Sequence, residues 1–345
     1  MYGYYSVLHS IFAVNRFTQK TYQHTMNNIP KISALVICYK QEKLIKRAID
    51  SLLNQKDYLY EICVSDDCSP DNTWGVLQVY SKLYPGLFKL HRNDSNVGIF
   101  QNIEYSWTMP KGDLVYQLSG DDECPNGWFK TIVNYIDENK IDYKNARVCF
   151  YGDFKCLYPN GDYFIKTNKM AKEGFDLVSL SIRSLLSNRS ACYSTSIMKR
   201  FIKVSRERSY IAEWAQEIQL PFNIEKAYYI HKLGNIYFTR IGVNVSFNQK
   251  DLKEREDNFP YMKECLESWG YSLSKKDSAY IALQKLKYSQ ITKWKFKTFL
   301  KIKLLSLSVK DCQYGFIRME VRSLKRKIFA VLRRMPHWKP LKMEI

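Results

Sequence analysis

Between Lys31 and Glu123 short apolar runs alternate with segments of helical period, and this limits the fold more than any other feature of the chain. Ile32 to Tyr39 reads as a first strand, and Leu59 to Ser65 as a second that ends in Asp66-Asp67. Phe88 to His91 is a short strand, and Leu114 to Gly120 is a fourth that ends in Asp121-Asp122-Glu123. Between them, Glu42–Gln55, Thr73–Leu83 and Ile99–Thr108 carry helical spacing; in the first, the apolar residues are Leu44, Ile45, Ala48, Ile49, Leu52 and Leu53. A short apolar run bounded by turn residues is how a strand buried on both faces looks. Strands alternating with helices predict βαβ units and a mostly parallel sheet with helices on both faces.

In such sheets ligands bind in the crevice outside the carboxyl ends of the strands. Two acidic pairs at two strand ends therefore predict one cleft for a metal and a polar, phosphorylated ligand. The simpler explanation is N-capping, since Asp and Asn are favoured caps. Capping accounts for one Asp at each site; a doubled Asp with no basic residue next to it in sequence asks for more.

Further along, Arg147 to Phe164 predicts strands around a Pro159-Asn160-Gly161-Asp162 turn. Residues 195–230 read as helical, Asn235 to Val245 as strand, and the chain beyond about residue 272 as basic and helical. The charge is uneven. From Lys285 to Ile345 there are 17 Lys and Arg against Asp311, Glu320 and Glu344, which makes +14 of the chain's net +19. Lys293-Trp294-Lys295-Phe296-Lys297 and the run from Val321 to Arg334 interleave cations with large apolar groups. Basic amphipathic helices with aromatics predict an anionic membrane surface as partner, and nucleic acid is the rival that this reading sets aside.

Nine cysteines without a CxxC pair predict free thiols in a reducing cytosol and no zinc site. No segment approaches 18 consecutive apolar residues, so no transmembrane helix is expected. The N-terminus shows no signal-peptide pattern, and residues 1–30 read as an extension ahead of the first core strand. No GxxxxGK[ST] or GxGxxG loop is present, and His91 and His231 are not expected to be ligands.

Five segments, in order, resemble the family 2 glycosyltransferases of the GT-A fold. They are Leu35-Val36-Ile37-Cys38-Tyr39-Lys40-Gln41-Glu42, Ser51-Leu52-Leu53-Asn54-Gln55, Val64 to Thr73, Asn96-Val97-Gly98-Ile99-Phe100-Gln101-Asn102, and Gly112 to Glu123. The resemblance is good over roughly 31–135 and weaker to about 248. It implies a Rossmann-like GT-A domain over 31–250 and is absent beyond; the basic helical, membrane-associating C-terminal region over 251–345 is read from composition alone. Tyr39 and Glu42 would line the nucleotide pocket, and Asp67 would accept the pyrimidine ring N–H. Asp66 would be structural, a cap on the following helix. Asn96, Gly98 and Asn102 would contact the donor.

Asp122 and Asp121 would hold Mn²⁺ or Mg²⁺ and the diphosphate, with Asp121 also near the ribose; hard oxygen ligands suit either ion. Ser119 stands where many relatives carry another Asp. The general base would come from Ala212 to Leu220, as Glu217 rather than Glu213. The implied activity is metal-dependent, inverting transfer from a nucleoside-diphosphate sugar, UDP or alternatively dTDP, to a lipid-linked saccharide. The implied setting is surface-polysaccharide assembly (O-antigen or capsule) by a cytoplasmic protein peripheral on the inner face of the plasma membrane. A nucleotidyltransferase shares the architecture, but would show a Gly-rich basic loop where Cys38-Tyr39-Lys40-Gln41 has no glycine. A non-enzymatic membrane or nucleic-acid adaptor driven by the basic tail is the remaining alternative.

Overall fold

The computed structural model describes residues 29–167, 176–182, 188–201, 212–239 and 249–292. Strand β1 (Ile32–Cys38) is central and apolar, with Ile32, Ala34, Leu35 and Val36 buried on both faces. It lies between β2 (Leu59–Asp66) and β4 (Leu114–Ser119), both parallel to it, and β3 (Phe88–Arg92) adds to the outer side of β2.

The helices between them turn one apolar face to this sheet. In α1 (Ile45–Leu53) that face is Ile45, Ala48, Ile49 and Leu52, spaced as a helix requires. Next come α2 (Thr73–Leu83) and α3 (Ile99–Ser106). Helix α4 (Trp128–Glu138) buries Trp128, Phe129, Ile132 and Ile136 behind Gly127, whose φ of 81° favours glycine. The sequence reading places no helix there, although that spacing is in the chain.

Beyond β4 the sheet becomes mixed. β5 (Val148–Leu157) and β6 (Tyr163–Lys166) form the predicted hairpin, turning at Gly161 with φ 85°. After the short helix α5 (Leu177–Ile182) and a 3-10 turn at Asn188–Ser190, β7 (Cys192–Ser194) runs antiparallel to β4 and β5. Helix α6 (Ala212–Asn223) leads into β8 (Lys226–Phe238), which is parallel to β5. The order is β3-β2-β1-β4-β7-β5-β6, with β8 on β5.

The structure corrects two sequence expectations. The stretch 195–230 is helical only in part, as a 3-10 turn over Thr195–Arg200 and α6, and β8 begins at Lys226 rather than Asn235. Tyr228 and Ile230 decide the second point, since each packs on the core as a strand residue, Tyr228 stacked 5.5 Å from Phe150.

The chain divides into two compact units. The first holds the sheet, with residues 186–203 and 216–246 contributing to it. The second holds α7 (Gln249–Ser268), α8 (Lys275–Thr292) and α5 from Val178 onward, tied together internally by Ser179 Oγ donating to Asp277 Oδ1 at 2.5 Å. The basic stretch from Lys293 onward and residues 1–28 lie outside the described residues. Among the described residues no helix is long and apolar enough to cross a membrane, and the eight cysteines are free thiols.

Candidate active site

Strand register places the two acidic pairs on one rim. Cys38 at the end of β1 aligns with Asp66, and Ile37 aligns with Ser119. The pairs thus flank the end of β1, two strand spacings apart, or roughly 10 Å. Tyr39 follows β1 between them, partly buried, with the Lys40 ammonium 5.7 Å from its ring centre.

The first pair is used unequally. Asp66 is fully buried and closes the turn after β2. It accepts from the Ser69 N–H at 3.1 Å and from the Ser69 hydroxyl, and it faces Arg92 Nε at 3.4 Å. It is structural, but it caps this turn rather than helix α2. The first turn of α2 is served by Asp71, whose Oδ1 accepts from the Thr73 N–H and hydroxyl. Those hydrogen bonds hold the Asp71 carboxyl below its ordinary acidity range against a desolvation that would raise it.

Asp67 holds the next loop. Its Oδ1 accepts from Asn93 Nδ2 at 2.8 Å and Val97 N at 2.9 Å, and its Oδ2 from Gly98 N at 2.9 Å. A carboxylate offers about four acceptor positions, and bonds among the described residues use three of those of Asp67, which is 3% exposed. Asn96 Oδ1 also accepts from Gly98 N, at 3.1 Å, and φ at Gly98 is 83°. Asn102 differs from the sequence reading. It is buried beneath the loop, with Oδ1 accepting from Ser65 Oγ at 2.6 Å and Nδ2 donating to the Ser65 carbonyl at 3.2 Å. Its amide holds β2 to α3 and is not aimed at a ligand. Glu42, exposed, ties the loop after β1 to the loop after β2: its N–H donates to Asp71 Oδ2 at 3.1 Å and its Oε2 accepts from Asn72 N at 3.2 Å.

The second pair sits on a turn packed against β8. Gly120 donates to the Ile37 carbonyl at 3.0 Å, and a Cβ there would displace the side-chain ends of Gln41 and Ile45. Asp122 N donates to the Ser119 carbonyl at 3.0 Å, and Asp122 Oδ1 accepts from Phe238 N at 3.1 Å. Glu123 and Ile236 exchange backbone hydrogen bonds at 3.1 and 2.9 Å. Ser51 of α1 and Gln55 just beyond its end secure the far side of the turn, through Cys124 N to Ser51 Oγ at 3.0 Å and Gln55 Nε2 to the Pro125 carbonyl at 3.0 Å.

Asp122 is 2% exposed. Burial first, then the Asp121 carboxylate, pushes its carboxyl up to about 7, while Arg189, the Phe238 N–H and Arg47 pull the other way. Burial likewise raises Glu123. The cations absent from the neighbouring sequence arrive through the fold. Arg47 lies 3.5 Å over the Phe238 ring, donates to the Asp121 carbonyl at 2.5 Å, and pairs with Glu123 at 3.2 Å. The Arg189 guanidinium lies 4.0 Å over the Tyr237 ring. Sequence reasoning singles out neither arginine, because each reaches the turn from a distant element.

Among the described residues no group of three or more His, Cys, Asp and Glu is arranged as a metal cage. Two adjacent carboxylates, one buried and held against ionisation by the other, nevertheless suit a hard cation that would relieve both penalties. Glu213 and Glu217 fall on α6, and their side chains lie outside the described residues. Glu217 belongs to the unit that carries the sheet, and Glu213 to the other.

Residues 33–170 match the family described as Glycosyl transferase family 2. This segment is a family 2 glycosyltransferase domain. An uncharacterized glycosyltransferase of Haemophilus influenzae is 31% identical over 114 residues, covering 33% of this chain and 35% of that protein. The GalNAc(5)-diNAcBac-PP-undecaprenol beta-1,3-glucosyltransferase of Campylobacter jejuni is 28% identical over 228 residues, covering 61% and 65%. The chain thus spans between about a third and two thirds of the length of these relatives. Among solved structures, S. aureus TarS 1-349 in complex with UDP-GlcNAc superposes with a TM-score of 0.55 at 19% identity, covering 80% of this chain and 79% of that one. That likeness is one of fold, and it agrees with the GT-A architecture that the family resemblance implies.

Proposed function

We propose that the chain transfers a sugar from a nucleoside-diphosphate donor, a UDP-sugar, to a hydroxyl of a lipid-linked saccharide, with inversion. The observation that carries the reading is the acidic turn at the end of β4, where Asp122 is buried beside Asp121 and braced by the end of β8. Asp121 and Asp122 would hold Mn²⁺ or Mg²⁺, and the ion would neutralise charge on the departing diphosphate. Tyr39 at the end of β1 and, two strand spacings or roughly 10 Å from the second pair, the one acceptor position left on Asp67 would take the base. The loop carrying Asn96 and Gly98 would contact the donor, with Asn102 and Glu42 acting by fixing their loops. Glu217 is the proposed general base, with Glu213 as the alternative.

The lipid-linked acceptor is supported by the Campylobacter relative, whose name places its substrate on undecaprenyl diphosphate. The basic segment from Lys285 onward would bring the chain to the anionic inner face of the plasma membrane, for which each Lys or Arg contributes about 1 kcal/mol near the surface.

The test is donor turnover, as hydrolysis or transfer from a panel of UDP- and dTDP-sugars with Mn²⁺ or EDTA. D122A should lower metal-dependent turnover roughly 100-fold or more, as expected when a group stabilising developing charge is removed. Turnover unchanged in D122A, or equal in EDTA, would rule out the metal assignment.

A further inference from the structure

Two arginines meet the acidic turn, each stacked on a different residue of the β8 end. Arg47 is committed to the turn: its face covers Phe238 and its nitrogens go to the Asp121 carbonyl and Glu123. Arg189 stands over Tyr237, the preceding residue of β8, and successive strand residues point to opposite faces. The two guanidinium groups therefore approach the turn from the two sides of the β8 end. We propose that Arg189 is a diphosphate-binding residue, which supplies fixed positive charge and a planar set of donors to the nucleoside diphosphate beside Asp122. This rests on the glycosyltransferase reading of the turn and names the side chain that would engage the anionic part of the donor.

The backbone beneath Arg189 is built to hold it in place. Ser190 Oγ donates to the Gly152 carbonyl at 2.5 Å and accepts from Gly152 N at 3.1 Å, which locks the 3-10 turn onto β5. A Cβ at Gly234 would lie 2.8 Å from the Ser190 Cβ, so β8 passes this turn at a distance only glycine allows. Arg189 is thus anchored to β5 and β8, the strands that also position Tyr237. Its charge draws Tyr237, Cys156 and Asp122 toward their ionised forms against the burial that raises each. It is therefore electrostatically present at the turn from a side that Arg47 does not cover.

The chemistry calls for such a group. Two carboxylates repel a diphosphate, and a guanidinium on the other side of the turn would add positive charge and N–H donors to whatever a divalent ion supplies. An arginine stacked by its face on an aromatic ring directs its N–H groups outward in one plane, the arrangement that matches phosphate oxygens. A guanidinium is also the more weakly hydrated cation, which suits a half-buried position.

The competing role is a structural counter-charge for Asp122, and binding separates the two. Affinity of the full chain for UDP and for uridine would be measured by calorimetry with Mn²⁺, for wild type, R189K and R189Q. R189Q is expected to weaken UDP by roughly 10- to 100-fold, the range for a lost charge-assisted hydrogen bond, and to leave uridine within about two-fold. R189K should fall between, because it keeps the charge and loses the fork. R189M, which keeps an unbranched apolar side chain of similar reach, carries the same test if R189Q does not fold.

Equal UDP affinity in wild type and in the charge-removing variant overturns the inference. So does a loss that is the same for UDP and uridine, since that is the mark of a structural role. A wild-type chain that binds no nucleoside diphosphate at all overturns the glycosyltransferase reading and this inference with it. Retained UDP binding by wild type with no effect at Arg189 overturns the inference alone.

Discussion

Asp122 is the residue on which charge, burial and register meet. Its folded pKa of about 7 lies above the unfolded value of roughly 3.9, so the metal-free fold favours the protonated acid. The linkage runs in one direction: the contribution to stability is fully present below about pH 4, is lost as pH rises toward 7, and stays lost above. In EDTA, D122N should therefore gain in Tm over wild type progressively from about pH 4 to pH 8, and a difference flat across that range contradicts the burial argument. Added Mn²⁺ should remove the wild-type deficit, because the ion takes the ionised form. Gly120 makes a second residue-scale prediction. G120A forces a Cβ against Gln41 and Ile45 and should lower both stability and turnover, read by urea unfolding and the donor assay. The thiols make a third. Burial pushes Cys63 and Cys124 up to about 12, so at pH 8 both should resist alkylation in the folded chain while half-exposed Cys68 reacts first, measured by peptide mass spectrometry.

At the scale of elements, the end of β8 and the turn after β4 act as one piece, and Arg47 joins them. R47A removes the stack on Phe238, the bond to the Asp121 carbonyl and the pair with Glu123, and should cost about 1–3 kcal/mol in urea unfolding along with metal-dependent turnover. R47K should restore only part of either. In α1 the fully buried Ile49 offers a control away from the chemistry: I49A should cost about 2–5 kcal/mol with little change in KM. The elements also show what a sequence can disclose. β1, β2, β4 and α1 are legible because each carries one uninterrupted pattern, apolar runs for buried parallel strands and a 3-to-4 spacing for the helix. The first half of β8 is not, since Tyr-Tyr-Ile-His-Lys-Leu-Gly mixes polar and apolar positions, and its strand state is set by pairing with β5 far away in sequence. Asn102 reads as a ligand contact because its loop matches the family; only packing shows that its amide faces Ser65. Arg47 and Arg189 are invisible for the same reason, because long-range stacking leaves no local signal.

For the whole molecule, the family 2 domain over 33–170 and the strands that complete its sheet place an acidic rim on one unit, and most of the net charge belongs to the sequence from Lys285 onward. If that segment docks the enzyme on anionic lipid, the full chain should float with vesicles containing phosphatidylglycerol and dissociate at high salt, and flotation on neutral vesicles alone would contradict it. More narrowly, the acidic turn is proposed to bind the donor's diphosphate through a metal. This binding is tested most directly by the thermal shift that UDP produces in wild type and D122A, with Mn²⁺ and with EDTA. Wild type with Mn²⁺ should rise in Tm, equivalent to about 2.7 kcal/mol at a hundredfold excess of UDP over its Kd, and D122A should show no metal-dependent rise. A shift of the same size in EDTA, undiminished in D122A, would contradict it.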